Sequence, residues 1–82
     1  MNMLNKISAS EIEDLLRSNL TVKNLAVTDL KGGDHWQVDI VASNFNGLNT
    51  MKKHRLVYKI LAEALESGAI HALIINSKGE DE

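Results

Sequence analysis

The stretch WQVDIVAS, residues 36–43, decides the fold, because apolar and polar side chains alternate along it. A strand places successive side chains on opposite faces of a sheet, so the alternation predicts one buried face and one polar face. The side chains expected on the buried face are Trp36, Val38, Ile40 and Ala42. A second strand-like run, NLAVTDL, occupies residues 24–30, and KGGDH, residues 31–35, lies between the two. Glycine and aspartate suit tight turns, so these segments predict an antiparallel hairpin.

Helices are expected before and after the hairpin in the sequence. Apolar side chains recur at helical spacing over residues 10–19. The start of this helix offers two capping boxes, Ser8 with Glu11 or Ser10 with Glu13. Residues 49–67 also have a helical period, which fits one continuous helix or a short helix, a bend and a longer helix. The side chains expected on the buried face there are Met51, Tyr58, Leu61, Ala62 and Leu65, with Val57 and Ile60 at its borders.

A third strand closes the pattern. Gly68 suits a left-handed helix C-cap, and AIHALIIN, residues 69–76, predicts a strand. The order α-β-β-α(α)-β predicts an α+β fold, with a three-stranded mixed sheet and helices on one face. One domain is expected over residues 1–76, followed by an acidic flexible tail over residues 77–82.

Two histidines should meet at one end of this sheet. A helical connection separates the second and third strands, so these strands are expected to run parallel with a right-handed crossover. Parallel pairing brings the starts of both strands to the same end of the sheet. His35 precedes the second strand, and His71 lies near the start of the third. The order of the strands leaves open whether both imidazoles face the same ligand.

Composition limits the chemistry of these histidines. The 82 residues include no cysteine, which excludes a disulfide framework, a thiolate nucleophile and a self-sufficient Cys-ligated zinc or iron–sulfur site. Two imidazoles can nevertheless occupy one iron of a [2Fe–2S] cluster, as in Rieske-type sites, if a partner supplies the thiolates. The alternative is that His35 is a solvated loop residue and His71 an ordinary hydrogen-bonded strand residue.

A basic segment is the second candidate site. Lys52, Arg55 and Lys59 are spaced three and four apart, so they share a helix face that could meet phosphates or an acidic partner. The predicted nucleic-acid or partner surface consists of Gly47, Lys52, Lys53, His54, Arg55 and Lys59. A solvated helix face is the alternative, and the net charge of −2 weakens the nucleic-acid hypothesis.

Other function classes have little support. The sequence contains neither HExxH nor GxSxG, and Asp34 beside His35 has no serine in a recognisable triad order, so no enzyme is expected. The pair Gly32-Gly33 lacks a phosphate-loop pattern and predicts a turn. No run of 18 apolar residues exists, and MNMLNKISAS lacks the apolar core of a signal peptide. A cytoplasmic protein is therefore the expectation.

The ordered set of motifs resembles the BolA-like protein family over residues 10–76. The segments that carry the resemblance are GDHWQV (33–38), SNFNG (43–47), KHRLVY (53–58), LAEAL (61–65) and IHAL (70–73). They look like the family's loop and second strand, its FxG loop, its basic helix, the leucine-rich helix that follows, and its closing strand. The resemblance implies an α-β-β-α-α-β fold similar to class II KH domains.

The resemblance also implies a function. BolA-like proteins typically pair with monothiol glutaredoxins, share a [2Fe–2S] cluster with them, and act as adaptors in iron–sulfur trafficking or iron sensing. The family holds the cluster through the histidine of the closing strand and a His or Cys in the loop before the second strand. Those positions match His71 and His35 here. The cysteine of the glutaredoxin and a glutathione thiol would bind the other iron.

One alternative and two departures accompany the resemblance. Some family members bind DNA as transcriptional regulators, through a region that maps onto Gly47, Lys52, Lys53, Arg55 and Lys59. Lys53 stands where many members have Arg, which keeps the charge but loses the planar fork. NSKGEDE, residues 76–82, replaces the Thr-Pro-x-x-Trp segment and short helix of many members. Whatever that segment contributes to partner docking is therefore not implied here, and self-association into a weak homodimer is left open.

Overall fold

The elements follow the predicted order in a computed structural model that describes residues 6–82. The helices are α1 (Ala9–Asn19), α2 (Thr50–Ile60) and α3 (Ala62–Ser67), and a 3-10 turn covers Ser43–Phe45. The strands are β1 (Val22–Lys31), β2 (His35–Ala42) and β3 (Ala72–Lys78). The first five residues of the domain expected over 1–76 lie outside the described residues. Within residues 6–82, no helix is long and apolar enough to cross a membrane.

The three strands form the predicted mixed sheet, in the order β1-β2-β3. β1 and β2 pair antiparallel, and β2 and β3 pair parallel. Val38 lies opposite Val27 on one side and Ile75 on the other, so all three point to the same face. That face carries the predicted alternation of β2 and packs with side chains from all three helices in one core. The α+β architecture is therefore confirmed.

Helix α1 begins with the first of the two predicted capping boxes. Ser8 Oγ accepts a hydrogen bond from Glu11 N at 3.1 Å, and Glu11 Oε1 accepts one from Ser8 N at 2.9 Å. A cap of this kind contributes about 1 kcal/mol to the helix. Ile12 and Leu16 are fully buried, so one face of α1 covers the sheet.

The second helical region breaks at Leu61, and its longer helix comes first. The predicted buried face was wrong for Met51 and Tyr58, which are 62% and 44% exposed. The buried stripe contains Leu61, as predicted, together with Lys53, Val57 and Ala64. A lysine in the buried stripe interrupts the apolar pattern, which is why the sequence pointed to the neighbouring stripe. The long methylene stem of lysine can pack against apolar surface while its ammonium group is paired elsewhere.

The third strand is displaced by a few residues from its expected position. β3 covers Ala72–Lys78, whereas residues 69–76 were predicted. Ala69 and Ile70 are buried but precede the strand. They belong to the connection between α3 and β3, and their side chains pack in the core. The expected boundary between domain and tail, after residue 76, falls inside β3.

Candidate functional site

His35 and His71 lie together at one end of the sheet. His35 is the first residue of β2 and is paired in register with Ala72, so His71 immediately precedes its partner position. The two ring centroids are 6.5 Å apart, and the ring planes are at 88° to each other. The predicted common rim is confirmed, and the parallel pairing of β2 with β3 produces it.

Asp34 connects the two imidazole rings. Its Oδ1 lies 2.7 Å from His35 Nδ1, and its Oδ2 lies 3.0 Å from His71 Nδ1. The hydrogen bond with His35 holds the pKa of Asp34 below its usual range, and His71 acts in the same direction. An ionised carboxylate can only accept hydrogen bonds, so the proton of the hydrogen bond with His35 lies on Nδ1 of that ring.

The turn before β2 fixes the position of Asp34. Gly32 and Gly33 have φ values of 66° and 80°, which glycine adopts at little cost. The amide of Gly33 donates to Asp29 Oδ1 at 3.0 Å, and its carbonyl accepts from Trp36 Nε1 at 3.0 Å. The carbonyl of Asp34 accepts from the amide of His71 at 2.8 Å. The glycine pair is therefore a turn, as predicted, and the carbonyl of Asp34 ties the loop to the start of β3.

The rim offers two imidazole donors to a metal. Each ring directs Nδ1 toward Asp34, which leaves Nε2 for a ligand, and a carboxylate on the other nitrogen is the usual arrangement of a metal-binding histidine. His35 and His71 are half-exposed and exposed, so a partner can reach them. No group of three or more His, Cys, Asp or Glu side chains within residues 6–82 is placed to hold a metal ion. Two imidazole nitrogens can bind one iron of a [2Fe–2S] cluster when other groups supply the remaining ligands.

A surface cavity lies beside His71. The cavity, of about 490 Å³, is lined by residues that include Lys6, Gly32, Gly33, Gly68, Ala69 and His71. A β-carbon on Gly68 would lie 3.5 Å from His71 Nε2. Glycine at this helix C-cap, with φ of 85°, therefore keeps one side of that nitrogen open.

The basic helix presents only part of its predicted surface. Lys52, Arg55 and Lys59 are exposed on α2, while His54 is half-buried. Gly47 is exposed in the turn before α2. Lys53 is 8% exposed, and its Nζ forms an ion pair with Glu82. Lys53 is therefore not part of the exposed basic surface of α2, contrary to the prediction.

A turn at residues 79–82 holds the carboxylate that pairs with Lys53. Glu82 Oε1 also accepts from the amide of Gly79 at 3.0 Å, and Asn46 Oδ1 accepts from the amide of Asp81 at 3.1 Å. The hydrogen bond from Lys53 holds the pKa of Glu82 below its usual range, with the amide of Gly79 as the second cause. These contacts join the end of the chain to the FxG loop and to α2.

Sequence reasoning missed the roles of Asp34 and Glu82. An acid beside a histidine in a glycine turn is a local signal for Asp34, but its contact with His71 depends on the parallel pairing of β2 and β3. Glu82 is 29 positions from Lys53, and no local pattern connects the two.

Comparisons with known proteins agree with this fold. The family model described as BolA-like protein matches residues 6–82. Protein RP812 of Rickettsia prowazekii (strain Madrid E) is 35% identical over 72 residues, covering 87% of this chain and 92% of that protein. The protein named BOLA1, chloroplastic, of Arabidopsis thaliana is 50% identical over 48 residues, covering 58% of this chain. That match covers 29% of the chloroplast protein's own length.

A solved structure gives the same result. BolA1 from Arabidopsis thaliana superposes with a TM-score of 0.82 at 38% identity, covering 90% of this chain and 93% of that chain. Sequence and fold thus match the same family over nearly all the described residues. The chain belongs to the BolA-like protein family.

Proposed function

We propose that this chain is a non-enzymatic cytoplasmic adaptor that pairs with a monothiol glutaredoxin and co-ligates a [2Fe–2S] cluster. His35 and His71 would bind one iron, while the glutaredoxin cysteine and a glutathione thiol would bind the other. The observation that carries the proposal is the 6.5 Å approach of two imidazoles whose Nδ1 atoms both face Asp34. The role is trafficking of iron–sulfur clusters or sensing of iron.

The donor set supports this choice of metal centre. Two histidines in place of two cysteines on one iron are found in Rieske-type clusters, where they raise the reduction potential. The chain has no cysteine, so the thiolates must come from the partner. A cluster bound in this way supplies an electron-accepting or transferable iron–sulfur unit. The chain itself contributes two neutral ligands, the turn that positions them, and an open rim where the partner docks.

The test is an anaerobic reconstitution with a monothiol glutaredoxin, glutathione, iron and sulfide, followed by visible absorption and circular dichroism. We expect a spectrum different from that of the glutaredoxin homodimer, and its loss in His71→Ala. His54→Ala is the matched control, because His54 lies on α2 and borders a cavity beside Lys78, at the other end of β3. A spectrum identical to that of glutaredoxin alone would reject the adaptor hypothesis.

A second candidate function is DNA binding by the basic helix. The observation that favours it is the exposure of Lys52, Arg55 and Lys59 along α2, a helix whose sequence contains no acid. The net charge of −2 and the pairing of Lys53 with Glu82 count against it. Three phosphate contacts would give a log–log slope of binding against salt of about −3. Binding to duplex DNA that is absent, or insensitive to salt, would exclude this function.

A further inference from the structure

We propose that Asp34 is a positioning residue that sets the tautomers of both histidines at the rim. The inference rests on the proposed function for its purpose, since a fixed tautomer matters most to a metal ligand. The observation behind it is that the two oxygens of one carboxylate face different rings. Oδ1 lies 2.7 Å from His35 Nδ1, and Oδ2 lies 3.0 Å from His71 Nδ1.

The chemistry of the contact determines where the protons are. A neutral imidazole has one nitrogen that donates and one that accepts, and a carboxylate can only accept. The hydrogen bond places the proton of His35 on Nδ1, and the 3.0 Å approach of Asp34 Oδ2 favours the same tautomer for His71. The lone pair of each ring is then on Nε2. A metal binds only through a nitrogen that has a lone pair. Asp34 thus sets both His35 and His71 in the tautomer that can bind a metal through Nε2, without a metal being present.

The side chain of Asp34 has no visible part in holding the backbone frame. The carbonyl of Asp34 accepts from the amides of His71 and Ala72, at 2.8 and 3.2 Å. The turn before it is tied by Asp29, whose Oδ1 accepts from the amides of Lys31 and Gly33. Because these bonds use the backbone or another residue, a substitution at Asp34 is expected to leave the loop in place.

The isosteric substitution Asp34→Asn separates positioning from simple packing. The amide of asparagine has one accepting oxygen and one donating nitrogen, so it can accept from only one ring. The other ring must present an accepting Nδ1, which moves its proton to Nε2 and closes that nitrogen to a metal. We therefore expect His35 and His71 to differ in tautomer in D34N. A merely structural role for Asp34 predicts no such difference.

The experiment is two-bond ¹H–¹⁵N correlation spectroscopy on the metal-free, ¹⁵N-labelled protein at about pH 8, where free imidazoles are neutral. In the wild type we expect both rings to show the Nδ1–H pattern. In D34N one ring should change to the Nε2–H pattern, and in Asp34→Ala both rings should lose their fixed tautomer. Asp29→Asn is the matched control: it removes a negative charge near the end of β1, keeps a side-chain oxygen that can accept from Lys31 and Gly33, and has no hydrogen bond to a histidine.

Three results would overturn the inference. These are a wild type with Nε2–H rings, a D34N variant in which both rings keep Nδ1–H, and an Asp29→Asn variant that changes the tautomers as D34N does. Failure of the proposed function looks different. Nδ1–H rings in a protein that forms no shared cluster would support the positioning role and reject the adaptor alone. In the shared complex, we expect D34N to weaken retention of the cluster against a chelator by about 10-fold or more.

Discussion

Lys53 and Glu82 form an ion pair across 29 positions of sequence, with Nζ at 2.5 Å from Oε1. The lysine side chain is 11% exposed and the glutamate side chain 36% exposed. A buried ammonium group without a partner is costly, because water can no longer solvate it. The turn at residues 79–82 therefore contributes the charge that allows a lysine to lie in the buried stripe of α2.

Glu82→Gln should destabilise the fold by weakening this pair. The glutamine keeps the shape and a carbonyl acceptor but removes the charge, so the largely buried Lys53 side chain loses the opposite charge beside its ammonium group. We expect a lower melting temperature, by several degrees, in thermal unfolding followed by circular dichroism. Glu80→Gln is the control: it removes the same charge, but Glu80 faces the exposed Lys23 at 3.9 Å, and such surface pairs contribute little. Equal effects of the two variants would contradict the assignment.

The stabilising effect of Glu82 should depend on pH. Pairing with Lys53 lowers the pKa of Glu82 from its ordinary value of 4.5, so its contribution is fully present above pH 4.5. The contribution is lost as the pH falls through the lowered pKa, because the folded state must then protonate the carboxylate. We expect the difference in melting temperature between wild type and Glu82→Gln to shrink as the pH is lowered from about 7 to about 3. A difference that stays constant over this range would count against the ion pair.

Gly79 allows the turn to approach the FxG loop. A β-carbon at Gly79 would lie 2.8 Å from Asn46 Cα and 2.9 Å from Asn46 N, closer than side chains and backbone normally pack. Gly79→Ala should therefore displace the turn and cost about 1–3 kcal/mol of unfolding free energy. It should also change the amide chemical shifts of Asn46.

Gly47→Ala is a useful comparison for that variant. Gly47 has φ of 78°, but a β-carbon there would meet nothing within 4 Å. Its cost should be limited to the backbone conformation, about 1 kcal/mol, and the contact between Asp81 and Asn46 should persist. The contact between Asp81 and Asn46 could instead be lost in Gly47→Ala or persist in Gly79→Ala. Either result would show that the close approach at Gly79 does not determine the position of the turn.

The parts of the fold that the sequence predicted are those governed by local periodicity. The alternation from Trp36 to Ala42 identified the central strand, and the glycine turn identified the hairpin. Chain topology then placed His35 and His71 at one rim, because a helical crossover between paired strands makes them parallel. The arrangement of both histidines around Asp34 could not be predicted, since it depends on side-chain directions in a loop.

The helix face shows why other parts could not be predicted. The buried face of a helix is predicted from the periodic spacing of its apolar residues. A lysine at position 53 of the buried stripe breaks that spacing. Its partner Glu82 lies in a segment whose composition is typical of a solvated tail. The ion pair cannot be predicted from the sequence around either residue. The buried face of α2 and the position of residues 79–82 therefore depend on tertiary structure.

Leu61 and Met51 provide the last prediction, because they test whether the helical region is buried at Leu61 but not at Met51. Both were expected in the core, but Leu61 is fully buried and Met51 is 62% exposed. Leu61→Ala should cost about 2–5 kcal/mol of unfolding free energy, since it removes apolar contacts and leaves a cavity. Met51→Ala should change the stability by no more than about 0.5 kcal/mol. Chemical denaturation of the two variants measures both values, and comparable losses would mean that α2 packs through the stripe containing Met51.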